Sequence, residues 1–442
     1  MARDRGSQLR GAVRKILPRA MINMMARREG AVRRQRKVEI SLLVWSLILG
    51  FAAGRARTIA GLRRAFERAA GESIEESSFY ERFTPGLVKL LRSSIVYVVA
   101  HTAISGPALR GPLQSFVDVM ITDSTVIRLH DLLAKVFPAC RTNHTLAALK
   151  AHVLISVRGV SEQSMRITSE RVADGPVLRA GKWVKDRLLL FDLGYFRYLL
   201  FAQIHENGGY FISRLKQNAN PLILSSHRQH RGRARSLTGR RLHDVLPGLQ
   251  RDILDVEAEV EFKRRRYAGK SRRTSMTLRL VGVFDERTKQ HHLYITNIPP
   301  ERLGAEDIAA VYAARWQIEL FFKELKSHYR IEDMPSGKRV VVESLFYAAI
   351  LTMLVSRRVL ALVREWLRRC QREVTPARWA AVFAAYAADL LTVATAPVEL
   401  ALLTARRIHA IIASEAPNPS RRRPGLLEEV QRRTHALSPK PV

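Results

Sequence analysis

The sequence predicts an α/β fold: a mixed sheet with a β-rich insertion, flanked by helical regions at both ends of the chain. Three observations predict it. Strand-like segments begin near residue 110, helical patterns occupy 1–105 and 346–442, and alternating, arginine-rich segments fill 216–296. Strands followed by helices and by further strands are typical of layered α/β domains.

Residues 1–105 predict a helical region that binds DNA. The first 37 residues contain twelve Lys or Arg against two acids, Asp4 and Glu29. Because the rest of the chain is equally basic, a nucleic-acid-binding region is favoured over the alternative, a solvated basic face. No zinc-ligand spacing indicates a zinc finger.

Short segments rich in apolar and β-branched residues predict the strands of the first part of the core, residues 106–215. The first of them ends before Asp123, and the fourth is followed directly by Asp192. An acid at the end of a strand is often a helix cap or a turn former, so neither is a site by itself. The predicted strands cover 115–122, 152–157, 163–170, 188–191 and 210–215.

Residues 216–296 predict a β-rich basic insertion. Segments 256–262 and 275–283 alternate between apolar and polar residues and enclose an arginine-rich stretch, which indicates a long hairpin with a cationic tip. Such a tip suits contacts to the DNA backbone, and the alternative is a solvated cationic loop. The candidate DNA-binding residues here are Arg264, Arg265 and Arg266.

The second part of the core, residues 297–345, contains a predicted helix over 305–328. Residues 346–442 predict further helices and end in a basic tail. The apolar run 40–53 is too short to span a membrane, and the longer run 379–403 is interrupted by charged residues and proline. We therefore expect buried or dimer-forming helices.

The charge balance points to a polyanionic partner. The 442 residues carry 74 Lys and Arg against 40 Asp and Glu, a formal net charge of +34, while 47% of residues are hydrophobic. This apolar content excludes a disordered basic tail, and the excess of positive charge predicts nucleic acid as the partner. Two cysteines exclude a disulfide framework, and with no secretory pattern at the start they predict a cytoplasmic protein.

Phosphodiester chemistry requires carboxylates, because divalent cations that activate an oxygen nucleophile are held by oxygen ligands. Asp123 and Asp192 are the candidates in the strand region. Asp118 is a rival, but five residues separate it from Asp123, which places the two side chains on opposite faces of a strand.

The helix around residue 319 supplies a third candidate acid. At about 100° per residue, Tyr312, Arg315, Glu319 and Lys326 share an arc of roughly 60°. The alternative is an ordinary exposed face, since Arg315 and Glu319 are also spaced for an i,i+4 ion pair.

These four residues carry a family resemblance. Tyr312, Arg315, Glu319 and Lys326 match the Tyr-Arg-Glu-Lys signature of the insertion-sequence-four family of bacterial DDE transposases without a gap. The segments that begin at Asp123 and Asp192 resemble those around the family's first two acids. The resemblance covers about 110–350 well and is looser outside it.

The resemblance implies an RNase H-like catalytic core and cut-and-paste transposition of an insertion sequence. Metal-dependent cleavage at the terminal inverted repeats would be followed by attack of the freed 3′-hydroxyl on target DNA, with a hairpin intermediate in well-studied members. It further implies a homodimer in a synaptic complex, with the C-terminal helices as its candidate contact, in the bacterial cytoplasm on nucleoid DNA.

The resemblance also assigns roles. Asp123, Asp192 and Glu319 would be the catalytic ligands of two Mg²⁺ or Mn²⁺ ions. Arg315 and Lys326 would hold phosphates; Tyr312 would contact a phosphate or a displaced base, or would pack in the core. Trp316 and Phe322 of the same predicted helix are expected to pack in the core rather than to stack on bases. Two other classes stay open: a decayed protein that only binds inverted repeats, and a nuclease that cuts without strand transfer. Lys150 and His152 also resemble a recurrent segment of the family, but no role is assigned to them. His152 is not expected to bind Mg²⁺, because this ion prefers oxygen ligands.

Overall fold

The protein is described from a computed structural model. It covers residues 4–32, 38–53, 58–102, 109, 111–140, 145–158, 164–227, 237–249, 252–264, 273–329, 331–332, 334, 336–367 and 374–417.

The strands within these residues form one nine-stranded sheet. Its order is β3-β2-β1-β4-β5-β9-β8-β7-β6. The strands are β1 (Asp118–Leu129), β2 (Ala147–Ser156), β3 (Ser164–Ser169), β4 (Arg187–Phe191), β5 (Tyr210–Arg214), β6 (Leu222–Ser226), β7 (Ile253–Lys263), β8 (Arg273–Asp285) and β9 (Gln290–Thr296).

The first five strands confirm the predicted α/β class and its RNase H-like core. β1 is central among them: it pairs antiparallel with β2 on one side and parallel with β4 on the other. β4 in turn runs parallel to β5, and β2 runs antiparallel to β3.

Alternation along the strands divides the core into two layers, one on each face of the sheet. Ile121 and Leu190 belong to the larger apolar cluster, which includes Ile318. Met120 and Phe191, one residue along each strand, belong to the other cluster. The helices beside the sheet are α7 (Tyr198–Glu206), α8 (Leu242–Val245), α9 (Ala305–Ala313) and α10 (Trp316–Ser327).

The predicted insertion continues the core sheet. β9 pairs antiparallel with β5, so the strands of the insertion extend the same sheet at that edge. β7 and β8 form the predicted long hairpin, in which Lys263 lies opposite Arg273. The tip between them, with Arg265 and Arg266, lies outside the described residues.

The helices of the two chain ends pack together. α1 contacts α14 and α11, and α3 contacts α11 and α13. Hydrogen bonds join them: for example, Trp366 Nε1 donates to Gln8 Oε1 at 3.0 Å, and Thr352 Oγ1 donates to the Ile48 carbonyl at 2.6 Å. These helices are α1 (Arg5–Ile16), α2 (Arg19–Arg28), α3 (Ile40–Ala53), α4 (Ile59–Ala70), α5 (Glu76–Tyr80), α6 (Pro85–Thr102), α11 (Arg339–Leu367), α12 (Pro376–Ala385), α13 (Ala387–Thr395) and α14 (Val398–Glu415).

One described helix, α11, is long and apolar enough to cross a membrane, and 72% of its most apolar window is buried inside the protein. Core helices pass the same length and composition test. The interrupted apolar run after Trp379 forms α12 and α13, which meet at a bend of 62°.

A buried ion pair ties the insertion to the chain that enters α9. Arg279 on β8 donates two bonds of 2.8 Å to the carboxylate of Asp255 on β7. The same guanidinium donates to the carbonyls of Ile298 and Leu303, at 3.2 and 2.7 Å. Both charged side chains are 4% exposed, so the guanidinium and the carboxylate neutralise one another out of water.

Candidate active site

Asp123 lies within β1, on the face that α10 covers. The prediction that the strand ends at residue 122 was wrong: β1 continues to Leu129, because its second half still pairs with β2. The parallel pairing with β4, however, stops at Thr122 opposite Phe191. Asp123 is therefore the first residue of β1 beyond the parallel pair.

Asp192 directly follows β4 and lies beside Asp123. Since Thr122 is opposite Phe191 in parallel register, the next residues of the two strands are neighbours on one face. Asp192 precedes a short 3-10 helix, in which the Tyr195 amide donates to the Asp192 carbonyl at 3.0 Å. The turn fixes the backbone of the second acid.

Glu319 is carried to the same place by α10. A break at Ala314 and Arg315 separates α9 from α10, and Ile318 and Leu325 bury the inner side of α10 in the larger apolar cluster. Near its C-terminal end, Lys326 Nζ donates to the Val126 carbonyl of β1 at 2.9 Å. The helix that carries Glu319 is thus attached to the strand that carries Asp123.

Arg315 joins the first and third acids. Its Nη1 lies 3.1 Å from Asp123 Oδ2 and its Nη2 lies 2.6 Å from Glu319 Oε1. The i,i+4 ion pair with Glu319 that the sequence offered as an alternative is therefore present, but the same guanidinium also reaches across to the sheet. On an ordinary exposed helix face, Arg315 would contact Glu319 but not Asp123.

The environment of Asp123 opposes its negative charge. Burial, together with the nearby carboxylates of Asp192 and Glu319, raises the pKa of Asp123 from 3.8 to about 6, against the opposing effects of the Ser124 amide and Arg315. The Ser124 amide donates to Asp123 Oδ1 at 2.7 Å. A buried carboxylate with two acidic neighbours is typical of a functional site.

These carboxylates suit a divalent cation by chemistry. Three carboxylates and one guanidinium leave a formal excess of two negative charges, and carboxylate oxygens are the ligands that Mg²⁺ and Mn²⁺ prefer. Among the residues that the structure describes, no three His, Cys, Asp or Glu side chains are arranged so that they could hold one ion. Ion pairing with Arg315 keeps Asp123 and Glu319 on opposite ends of a guanidinium, so a shared ion requires that guanidinium to change partners.

Other predicted site residues occupy different settings. Tyr312 is 6% exposed, its ring packs 5.2 Å from that of Tyr294, and its hydroxyl lies 3.5 Å from the Phe191 carbonyl. This burial favours the packing role among those that the sequence left open. Lys326 is held by Val126 and by Glu332, whose Oε1 lies 2.9 Å away.

Two predictions about neighbouring residues have clear outcomes. Phe322 is in the core as expected, but the same expectation for Trp316 was wrong, because Trp316 is 55% exposed on the first turn of α10. In the insertion, Arg264 is partly exposed beside the Phe262 ring and pairs with Glu206. Arg264 directly follows β7.

The rival acid Asp118 has a structural role on the opposite face of the sheet, as its odd separation from Asp123 predicted. It is fully buried and accepts from the Val119 amide at 2.8 Å, the Arg158 amide at 3.1 Å and the Ser156 hydroxyl. These donors satisfy its carboxylate.

Sequence reasoning missed Asp174. Its Oδ1 accepts from Ser124 Oγ at 2.8 Å and lies 3.5 Å from Lys150 Nζ and 3.3 Å from His152 Nδ1. In sequence, Asp174-Gly175 is a dipeptide of the kind found in turns, which by itself does not point to a functional residue. His152 pairs with Ser124 across β1 and β2, so its side chain lies on the face opposite Asp123.

Comparisons with known proteins agree with this geometry. Residues 114–355, more than half of the chain, match the transposase DDE domain family. The chain belongs to this family. The match spans the three acids and both parts of the core.

Several relatives are transposases of bacterial insertion sequences. The transposase for insertion sequence element IS231B of Bacillus thuringiensis subsp. berliner is 22% identical over 402 residues, 80% of each chain. The transposase for IS1151 of Clostridium perfringens is 21% identical over 322 residues, 67% of this chain and 68% of the relative. These findings confirm the resemblance to the insertion-sequence-four group and the function of the protein as a transposase.

Among solved structures, the piggyBac transposase synaptic complex with hairpin DNA covers 92% of this chain and 85% of its own, at a TM-score of 0.41 and 9% identity. Family membership implies action on DNA, with cleavage and strand transfer, and a general dependence on metal ions.

Proposed function

We propose that this transposase moves an insertion sequence by cut-and-paste, with Asp123, Asp192 and Glu319 as its catalytic carboxylates. It would cleave DNA at the terminal inverted repeats and join the freed 3′-hydroxyl to target DNA. The observation that supports this assignment best is Arg315, which contacts Asp123 and Glu319 at the point where Asp192 leaves β4. Residues 196 positions apart in the sequence are thereby brought into one charged cluster.

The carboxylates would hold one or two Mg²⁺ or Mn²⁺ ions. When bound, these ions supply an activated oxygen nucleophile and neutralise charge on the reacting phosphate. Asp123 lies in β1, Asp192 directly follows β4, and Glu319 lies in α10, which packs on the sheet. Because rigid elements carry the three side chains, the geometry of the site is well maintained. Burial around Asp123 excludes water and strengthens electrostatic interactions there.

Arg315 and Lys326 would position the DNA backbone. Once Arg315 exchanges a carboxylate for a phosphate, its planar guanidinium can donate two parallel bonds, whereas Lys326 acts as a point charge. Arg315 is 15% exposed and Lys326 33% exposed, so both can be reached from the surface. The buried Tyr312 packs against Arg315, and the guanidinium lies 5.7 Å from the centre of the Tyr312 ring.

The remaining positive charge would bind DNA along a longer path. The basic N-terminal helices would recognise the terminal inverted repeats, and the hairpin β7–β8 with Arg264, Arg265 and Arg266 would contact the DNA backbone. We further propose a homodimer that holds two ends in a synaptic complex on bacterial nucleoid DNA, with the C-terminal helices as its contact.

A joined-product assay tests the proposed function. The protein is incubated with paired element ends, a target plasmid and Mg²⁺, and nicked, cut and joined products are separated on gels. The wild type should give all three, and Asp123→Ala should give none while it binds end DNA with unchanged affinity. Cleavage without joined products would favour a nuclease, binding without cleavage a decayed transposase, and wild-type cleavage by Asp123→Ala would refute the site.

A further inference from the structure

We propose that Asp174 is a positioning residue that sets the separation of Asp123 and Asp192 from the opposite face of the sheet. The inference rests on the proposed function, because it assigns Asp174 a role toward the metal-holding carboxylates. Asp174 contacts neither the substrate nor the ions in this proposal, and it acts through the segments that carry the two acids.

The first link joins Asp174 to β1. Ser124 follows Asp123 directly, and its hydroxyl donates to Asp174 Oδ1 at 2.8 Å. Because alternate strand residues point to opposite faces, the Ser124 side chain points away from α10 while the Asp123 side chain points toward it. The bond to Ser124 therefore holds the β1 backbone at the position of the first acid.

The second link joins Asp174 to the turn after β4. Gly194 is two residues beyond Asp192, and a Cβ added there would lie 2.8 Å from Asp174 Oδ2. A Cβ at Gly175 would likewise lie 2.6 Å from the side chain of Arg197. The loop with Asp174 thus packs directly on the segment that positions the second acid, and both glycines permit the close approach.

Two side chains of β2 lie against Asp174, Lys150 as an ion-pair partner and His152 as a close neighbour. Lys150 Nζ lies 3.5 Å from Asp174 Oδ1 and donates to the Val172 carbonyl at 2.9 Å, so it clamps the same loop. His152 Nδ1 lies 3.3 Å from Asp174 Oδ1, and its Nε2 lies 2.9 Å from Thr168 Oγ1 on β3. This arrangement gives a physical role to Lys150 and His152, the two residues for which the sequence offered none.

Three segments meet at the Asp174 carboxylate: β1, β2 and the turn after β4. A change on this face of the sheet can therefore reach the acids on the other face. Loss of Asp174 frees Ser124 and removes the atoms that pack on Gly194, so the backbone at Asp123 and at Asp192 can move apart. Residues that orient metal ligands from a distance typically change metal affinity or activity by about 10- to 100-fold when mutated. A residue with a purely structural role would change stability without changing the metal response.

The test compares Asp174→Ala, Asp174→Asn and Ser124→Ala with a matched control, Glu343→Ala. The control removes an ion pair of α11, in which Arg339 Nε lies 2.8 Å from the Glu343 carboxylate. For each full-length variant bound to end-bearing DNA, Mn²⁺ affinity is measured by calorimetry, and the Mg²⁺ concentration for half-maximal cleavage is measured in parallel. End binding and the thermal midpoint are recorded for all variants.

We expect Asp174→Ala to raise the Mn²⁺ dissociation constant and the half-maximal Mg²⁺ concentration by about 10- to 100-fold, with unchanged DNA binding. Asp174→Asn keeps an acceptor for Ser124 and should lose less. An Asp174→Ala protein whose metal response equals that of Glu343→Ala would overturn the inference. If Asp174→Ala does not fold, Ser124→Ala decides, because it removes the β1 link alone: a raised metal requirement supports the inference and a wild-type one overturns it.

The outcome can be separated from that of the proposed function. An active Asp123→Ala variant would remove the proposed site altogether. An inactive Asp123→Ala variant together with a wild-type metal response of Asp174→Ala would leave the site standing and would refute only the positioning role.

Discussion

Replacement of Asp123 by Asn should stabilise the protein at pH 8 in the presence of a chelator. Burial, together with the carboxylates of Asp192 and Glu319, raises the pKa of Asp123 from 3.8 to about 6, so the folded protein holds an ionised carboxylate at a cost. Asn is neutral at every pH and can still accept the hydrogen bond from the Ser124 amide. A carboxylate whose charge is opposed by its surroundings thus differs from a turn former, whose removal destabilises the fold.

The magnitude follows from the pKa. A difference of about two pH units between the folded and unfolded values corresponds to about 3 kcal/mol, since each pH unit is worth about 1.36 kcal/mol. The folded state retains the Asp123 proton to higher pH than the unfolded state, so wild-type stability falls as the pH rises from about 4 to about 6. Above that range Asp123→Asn should be more stable by about 3 kcal/mol, and below it the two proteins should be alike.

Urea unfolding of both proteins between pH 4 and pH 8 measures this difference. Asp118→Asn is the matched control, because Asp118 is a buried acid of the same strand whose carboxylate is satisfied by three donors. Its replacement should destabilise the protein by about 1–3 kcal/mol. If Asp123→Asn is destabilised at pH 8 as Asp118→Asn is, Asp123 is a structural residue and the reasoning about the site is refuted.

Three further predictions concern the ion pair, the metal and α10. Arg279→Ala should lower the free energy of unfolding by about 3–5 kcal/mol, measured in urea, because it leaves the Asp255 carboxylate buried and unpaired. Mn²⁺ should raise the melting temperature of the wild type in calorimetry and leave that of Asp123→Asn nearly unchanged, since ligands stabilise only the state that binds them. Trp316→Ala should change stability by no more than about 0.5 kcal/mol in the same urea assay, and a loss of several kcal/mol would show that Trp316 packs in the core after all.

The sequence predicted the parts of the fold that depend on local patterning. The apolar segments that precede Asp123 and Asp192 form β1 and β4, and the alternating segments of the insertion form the hairpin β7–β8. The length of β1 was underestimated, because its second half is kept in the sheet by β2, a partner that local composition does not reveal. The burial of Trp316 was misjudged, because the periodicity of α10 indicates which faces differ but not which lies at the surface.

Local sequence patterns do not predict contacts between residues that are far apart in the chain. Asp174 is a residue of an Asp-Gly turn in the sequence, and only tertiary packing brings it to Ser124, Lys150 and His152. The same holds for Arg315: helical spacing predicts its bond to Glu319, whereas its bond to Asp123 depends on the packing of α10 against β1. For the N-terminal and C-terminal helices, amphipathic patterns predict helices but not that α1 and α14 contact each other.

In the sequence, the insertion lies between the second and third acids, so the chain leaves the core after β5 and returns to it before α10. Contacts at the entry to α9 fix the place where the chain returns. Asn297 accepts from the Phe211 amide at 3.0 Å and donates to the Gly209 carbonyl at 2.8 Å, which fixes the end of β9 to the start of β5. Arg279 holds the next residues through the carbonyls of Ile298 and Leu303. The helices α9 and α10 therefore start from a point fixed to β5 of the core and to β8 of the insertion, and α10 carries Glu319 to the guanidinium of Arg315, which also contacts Asp123.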